Sequence, residues 1–177
     1  MSDDTQKTET MAEEGTVKTF NVVFDVEGKA VGKMRNEIRG QMISPVIDEV
    51  FEMATDEGAA HGGDMTAPPP LAYFCTGFIA CLMTQIRAFS KRLRVPVGDV
   101  SVKAHIEWEA RVEGRNPYTS RPVAFRLDID LDSDAPFDEQ KRLLDAAQKG
   151  CFVEATLANP IPVDHRLMIN GAFVNAD

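Results

Sequence analysis

Sulfur is the first chemistry this sequence offers. Three cysteines, Cys75, Cys81 and Cys151, are spread over 177 residues, and a cysteine becomes a nucleophile or a redox centre through its thiolate. Cys151 follows Gly150, a helix stop signal, and opens a segment read as a new short helix. Unpaired backbone N–H groups there favour the thiolate; the alternative is a small residue filling a corner between helices. Cys75 and Cys81 lie in an apolar stretch, where a free cysteine is ordinarily a packing residue. Six residues apart, they fall on different faces of a helix and cannot join each other in a disulfide while it is intact. His61, His105 and His165 share no metal-ligand spacing with the cysteines or one another, so no metal is expected. His105 falls on the polar face of its strand and reads as solvated, His165 on an apolar face and reads as half-buried. Asp56-Glu57 ahead of Gly58 reads as strand-end solvation or as a carboxylate held near a thiol. With no G-x-S-x-G, phosphate loop or dinucleotide fingerprint, no cofactor is expected.

The element that must position these thiols is 70–95, PLAYFCTGFIACLMTQIRAFSKRLRV. Leu71 to Met83 is almost all apolar or small, and a helix apolar all round is buried on all sides. After Thr84, Ile86, Phe89 and Leu93 keep helical spacing, while Arg87, Lys91, Arg92 and Arg94 suit the negative helix end. Pro70 stands at the first helical position. The thirteen-residue apolar run falls short of the ~20 residues that cross a bilayer, so it reads as a core helix.

Around this helix the pattern is mostly strand. Phe20, Val22, Phe24 and Val26 alternate with polar residues, predicting a strand with one buried face that turns at Glu27-Gly28-Lys29. A second strand is read over 33–39; Pro45 interrupts, and a third carries Phe51, Met53 and Thr55 and ends at Asp56-Glu57. Residues 58–70 form a loop. Beyond the helix, Val100 to Val112 and Val123 to Leu131 alternate apolar and polar, predicting an antiparallel pair laid on the helix. A second helix opens at Ser133 to Pro136 and stops at Gly150. A short helix over 151–158 and a last strand over 163–169, ending at Asn170-Gly171, complete the chain. The order predicts an α+β fold, with helices on one face of an antiparallel sheet.

Composition narrows the function classes. The first 15 residues are acidic and poor in apolar side chains, predicting a mobile tail, with one domain over 16–177. The N-terminus lacks the features of a signal peptide, and three cysteines do not make a disulfide framework, so a cytoplasmic protein with reduced thiols is expected. A net charge of −9 repels phosphate backbones, so neither nucleic acid nor membrane is an expected partner.

Several segments together resemble the OsmC/Ohr family of thiol-dependent peroxide reductases. Pro70 stands eleven residues before Cys81 in the central helix; GCFVEATLANP surrounds Cys151; and DEGAAHGGDMTAPPP is similar to the family's glycine-rich loop. The resemblance spans roughly 17–170. It implies antiparallel sheets packed on a long buried central helix, in an intertwined homodimer with active sites at the subunit interface. It further implies that Cys81 is the peroxidatic thiolate and Cys151 the resolving thiol, with Glu57 as a partner. The expected substrate is an organic hydroperoxide and the reductant a small or lipoyl thiol. The chain departs from the family pattern at Leu71, where a Glu is usual, and at Phe152, where a Pro is usual. The family's activating arginine has no counterpart at Thr55-Asp56, and Arg35 or Arg39 could serve only with the strands placed differently. These departures keep a second class open, an inactive OsmC-like dimer that binds a small apolar ligand or a protein partner.

Overall fold

The computed structural model describes residues 17–176, which divide between Pro68 and Pro69 into two compact units. The acidic tail, 1–15, lies outside the described residues.

The N-terminal unit is an antiparallel meander of β1 (Val23–Val31), β2 (Arg35–Ser44) and β3 (Val46–Thr55). The expected turn at Glu27-Gly28-Lys29 lies inside β1, where these residues pair with Arg39, Ile38 and Glu37. Gly28 serves packing across the pair: a Cβ there would sit 2.9 Å from Ile38 Cδ1. The chain reverses instead at 32–34, with Gly32 at φ 69°, a region open chiefly to glycine. No face of β1 is buried, contrary to the alternation; Phe24 and Val26 are 49% and 57% exposed. Gly40 on β2 lies under the ring of Phe51, which a side chain there would strike. Phe51 in turn meets Phe24 edge-on, with centroids 6.5 Å apart.

In the C-terminal unit α1 (Pro70–Leu93) is followed by the hairpin β4 (Val100–Arg111) and β5 (Thr119–Leu131), then α2 (Phe137–Gly150), α3 (Phe152–Ala158) and a second hairpin, β6 (Arg166–Ile169) with β7 (Ala172–Asn175). Among the described residues the strands form three separate antiparallel sheets, where element order predicts one and the family resemblance implies several. Asn170-Gly171, read as the end of a last strand, is the turn of the second hairpin, with both residues at positive φ. His165, read as half-buried, is exposed; its carbonyl accepts from Ala176 N at 2.9 Å.

β4 and β5 pair Val102 with Ile129, Ala104 with Leu127 and Ile106 with Phe125 on one face. The other face carries a forked pair in which Arg121 Nε and Nη2 donate to Glu109 at 3.2 and 2.8 Å. The aromatic side chains meet α1: Phe74 and Phe78 pack edge-on against Phe125, at 6.3 and 5.9 Å between centroids, and Phe74 against Trp108 at 5.9 Å. The bulge between Glu107 and Trp108, next to Pro122 on β5, falls at this cluster.

Helix α1 is buried along one stripe, Phe78, Leu82, Ile86 and Ser90, not on all sides. Leu71, Thr76, Gly77, Ala80 and Thr84 stay exposed, because the hairpin, α2 and α3 cover only part of its circumference. With 24 residues and a mean hydropathy of 1.3 in its most apolar window, it is long and apolar enough to cross a membrane by length and composition. Its buried stripe nevertheless belongs to the core, where Leu82 and Ile86 join Val95, Ala135, Leu143, Ala147 and Cys151. Gly150, read as a stop signal, is the last residue of α2 and is not in the left-handed region. A Cβ on it would lie 2.6 Å from the Phe89 ring, so glycine here permits the close approach of α2 to α1.

Candidate active site

That close approach brings two of the three thiols together. Cys81 is half-buried on α1 and packs against the core that contains Cys151. Cys151 is 0% exposed and occupies the single-residue junction between α2 and α3. Its N–H donates to Gln148 O at 3.2 Å and its carbonyl accepts from Ala155 N at 2.9 Å, so the backbone fixes where the sulfur points. Both cysteines are free thiols, and Cys81 stands close enough to Cys151 to influence its titration.

Burial pushes the Cys151 thiol up to about 11, and the Cys81 sulfur beside it adds to the rise; the amides of Glu154 and Val153 draw it part of the way back. Those amides face the sulfur without closing a cap hydrogen bond of full geometry. The expectation that the helix start favours the thiolate therefore names a real influence that desolvation outweighs. Cys75, also on α1, is half-buried and not part of this core.

One buried polar atom close to Cys151 in the chain went unread in the sequence. Glu154 stands three residues after Cys151, and burial holds its carboxyl above the ordinary carboxylate range. Its Oε1 is shut off from solvent and accepts no hydrogen bond. The C-x-x-E spacing at a helix start, analogous to a capping box, was the available signal.

Glu57 belongs to the N-terminal unit, where its carboxylate lies 3.8 Å from His61 Nδ1. Its neighbour Asp56, 2% exposed, closes the loop after β3. The Asp56 carboxylate accepts from Glu57 N at 2.8 Å, Thr66 N at 2.9 Å and Thr66 Oγ1 at 2.8 Å, and Asp56 N donates to Pro68 O. The bonds from Thr66 above all hold the Asp56 carboxyl below its ordinary value. Gly63 fits against the Glu57 carbonyl, where a Cβ has no room. Arg35 donates to Thr66 Oγ1 at 3.0 Å, and Arg39 lies 3.9 Å from both Glu27 and Glu52. An open recess of about 700 Å³ on this sheet is lined by Lys29, Arg35 and Arg39 against Glu27, Glu37 and Glu52 and contains no thiol. Among the described residues, no three His, Cys, Asp or Glu side chains gather closely enough to hold a metal ion.

The family described as OsmC-like protein matches residues 61–166. An OsmC-like hydroperoxide resistance protein from Jannaschia sp. CCS1 is 46% identical and aligns over 88% of this chain and 98% of its own, with a TM-score of 0.60. An organic hydroperoxide resistance protein from Legionella pneumophila shares the fold at 15% identity, over 80% of this chain and 91% of its own, with a TM-score of 0.51. One from Vibrio cholerae, with captopril bound in one of its active sites, does so at 18% identity, over 82% and 90%, with a TM-score of 0.51. A search of curated proteins found no match. On the extent of the family match and of the Jannaschia alignment, the chain belongs to the OsmC-like protein family.

Proposed function

We propose that the protein reduces an organic hydroperoxide by a two-cysteine cycle. The Cys81 thiolate attacks the O–O bond, which breaks to release an alcohol and leave Cys81 as a sulfenic acid. The Cys151 thiol then displaces the hydroxyl as water, forming a Cys81–Cys151 disulfide, and a small or lipoyl dithiol reduces it back to two thiols. The observation that carries this reading is the packing of Cys81 on α1 against the core that contains Cys151, which leaves a resolving sulfur near an oxidised Cys81. The 46% identity to a hydroperoxide resistance protein supports the substrate class. Glu57 is the proposed carboxylate partner of the thiolate.

The working unit on this reading is a cytoplasmic homodimer that binds neither nucleic acid nor membrane. The exposed faces of α1, with Leu71 54% exposed, and the exposed apolar residues of β1 support a second copy as their cover.

The test is the intact mass of reduced protein after one equivalent of cumene hydroperoxide, followed by peptide mapping. The expected result is loss of two hydrogens mapped to Cys81–Cys151, abolished in Cys81→Ser; turnover retained by Cys81→Ser overturns the proposal. An unchanged mass favours the second reading, an inactive dimer that binds an apolar ligand. The features behind that reading are the high-lying Cys151 thiol and the apolar, exposed Leu71 and Phe152.

A further inference from the structure

Gly150 is the last residue of α2, and Cys151 follows it at once. Glycine in a helix costs stability relative to alanine, and Gly150 does not hold the positive φ that would account for it. Its reason lies on α1. A Cβ on Gly150 would stand 2.6 and 2.7 Å from Cε2 and Cζ of Phe89 and 3.5 Å from Gln85 Oε1. Cys81, Gln85 and Phe89 succeed one another at intervals of four residues, so they form one row along α1, rising about 6 Å at each interval. Side chains on a helix lean toward its N-terminus, which carries the Phe89 ring back toward Gln85 and Cys81. The end of α2 is thus seated on the row that carries Cys81. Cys151 N donates to Gln148 O in α2 and Cys151 O accepts from Ala155 N in α3, so Cys151 moves with the helix end. Cys81 and Phe89 both pack against the core that holds Cys151.

We infer that Phe89 is a positioning residue of the resolving step, acting through Gly150 to hold Cys151 within reach of an oxidised Cys81, an assignment that rests on the two-cysteine cycle proposed above. The step it governs is a competition. Cys151 consumes the Cys81 sulfenic acid to give the disulfide and water. A second hydroperoxide consumes it instead when its O–O bond breaks to pass one oxygen to the sulfur, giving a sulfinic acid and a second molecule of alcohol. The first route is intramolecular and its rate follows the geometry of the pair; the second follows the hydroperoxide concentration. A ring seated on a glycine therefore sets the hydroperoxide concentration at which the protein inactivates itself.

The experiment compares wild type, Phe89→Leu, Gly150→Ala, the double variant Phe89→Leu/Gly150→Ala, and Phe125→Leu, which loosens the aromatic cluster of α1 and β5 instead. Reduced protein is treated with rising cumene hydroperoxide, and intact mass gives the ratio of disulfide to sulfinic acid. In each single variant at the junction, the concentration that leaves half of Cys81 as sulfinic acid is expected to fall about tenfold. The double variant places its methyl where the ring was and is expected to recover most of that loss. Phe125→Leu is expected to lower the melting temperature and leave the ratio at the wild-type value. An unmoved ratio in Phe89→Leu, a double variant no better than the worse single one, or a ratio that tracks the melting temperature through Phe125→Leu overturns the assignment. A second measurement needs no hydroperoxide. Oxidised glutathione takes two electrons from the thiol pair, giving the Cys81–Cys151 disulfide and two molecules of reduced glutathione. Its equilibrium constant is expected to shift about tenfold toward the dithiol in Phe89→Leu and Gly150→Ala. Wild-type protein that forms this disulfide with glutathione but no sulfenic acid with hydroperoxide overturns the peroxide cycle, and the redox equilibrium then decides the role of Phe89.

Discussion

The N-terminal and C-terminal units solve the problem of staying folded in different ways. The C-terminal unit buries large apolar side chains, Leu82, Ile86 and Leu143, at 0% exposure around its thiol pair. The positions buried in the N-terminal unit are Gly40, Thr55, Asp56 and Gly63. Its order comes from the β ladders and from a loop drawn onto one carboxylate. A three-stranded sheet needs a covered apolar face to be stable in water, and this one leaves Phe24, Val26 and Val46 exposed. A unit built from hydrogen bonds opens locally, whereas one built on a shared core opens as a whole.

Mutations can break this contrast, and the largest effect is expected in the core. Leu82→Ala removes a fully buried side chain and should cost about 2–5 kcal/mol in urea unfolding; a loss below 1 kcal/mol would mean that the core is not the source of cooperativity. Gly150→Ala forces a methyl onto the Phe89 ring and should cost about 1–3 kcal/mol. It should also slow disulfide formation, since the α1–α2 approach that sets the thiol pair is widened; an unchanged rate would detach that geometry from the chemistry.

Asp56→Asn tests the polar unit. Its expected signature is faster hydrogen exchange at Glu57 and Thr66, with the C-terminal core amides unchanged. The pH dependence has a definite sign. The folded Asp56 carboxyl titrates below its ordinary value of 3.8, so the native state binds fewer protons there than the unfolded chain. Its contribution is present above about pH 4 and fades as pH falls through the lower folded value. Loop protection that survives acid unchanged would contradict the role given to this carboxylate. At the small end, Arg121→Ala on the exposed Glu109 pair should change stability by about 0–1 kcal/mol and be erased by salt; a larger loss would mean that the hairpin depends on its wet face.

The parts of this structure legible in the sequence are those set by local period. Strict alternation located β4 and β5, and the apolar run after Pro70 located α1, but not its burial: Leu71, Thr76 and Gly77 at its start are exposed, while Ile86 and Ser90 near its end are buried. What failed depended on neighbours. Gly28 and Gly150 look like punctuation, yet each is glycine because a side chain from another element, Ile38 or Phe89, occupies its Cβ space. Asn170-Gly171 is a local signal that was underused, and β7 was lost with it. In the site, a reactive setting for Cys151 was read from its helix start, but the depth of burial that raises its thiol depends on α1 and α2 together. The meeting of Cys81 with Cys151 came from family resemblance, because no spacing encodes a contact between α1 and the α2–α3 junction.

The sealed position of Cys151 also bears on how this protein will register in experiments on whole cells. Reagents that tag cysteines react with the thiolate and need access to it; a thiol at 0% exposure that ionises only near pH 11 offers neither. A census of reactive cysteines taken by alkylation will therefore leave Cys151 unmarked in the reduced protein. Its oxidation state has to be tracked by mass or by mobility after denaturation, since loss of labelling has no baseline signal from which to fall.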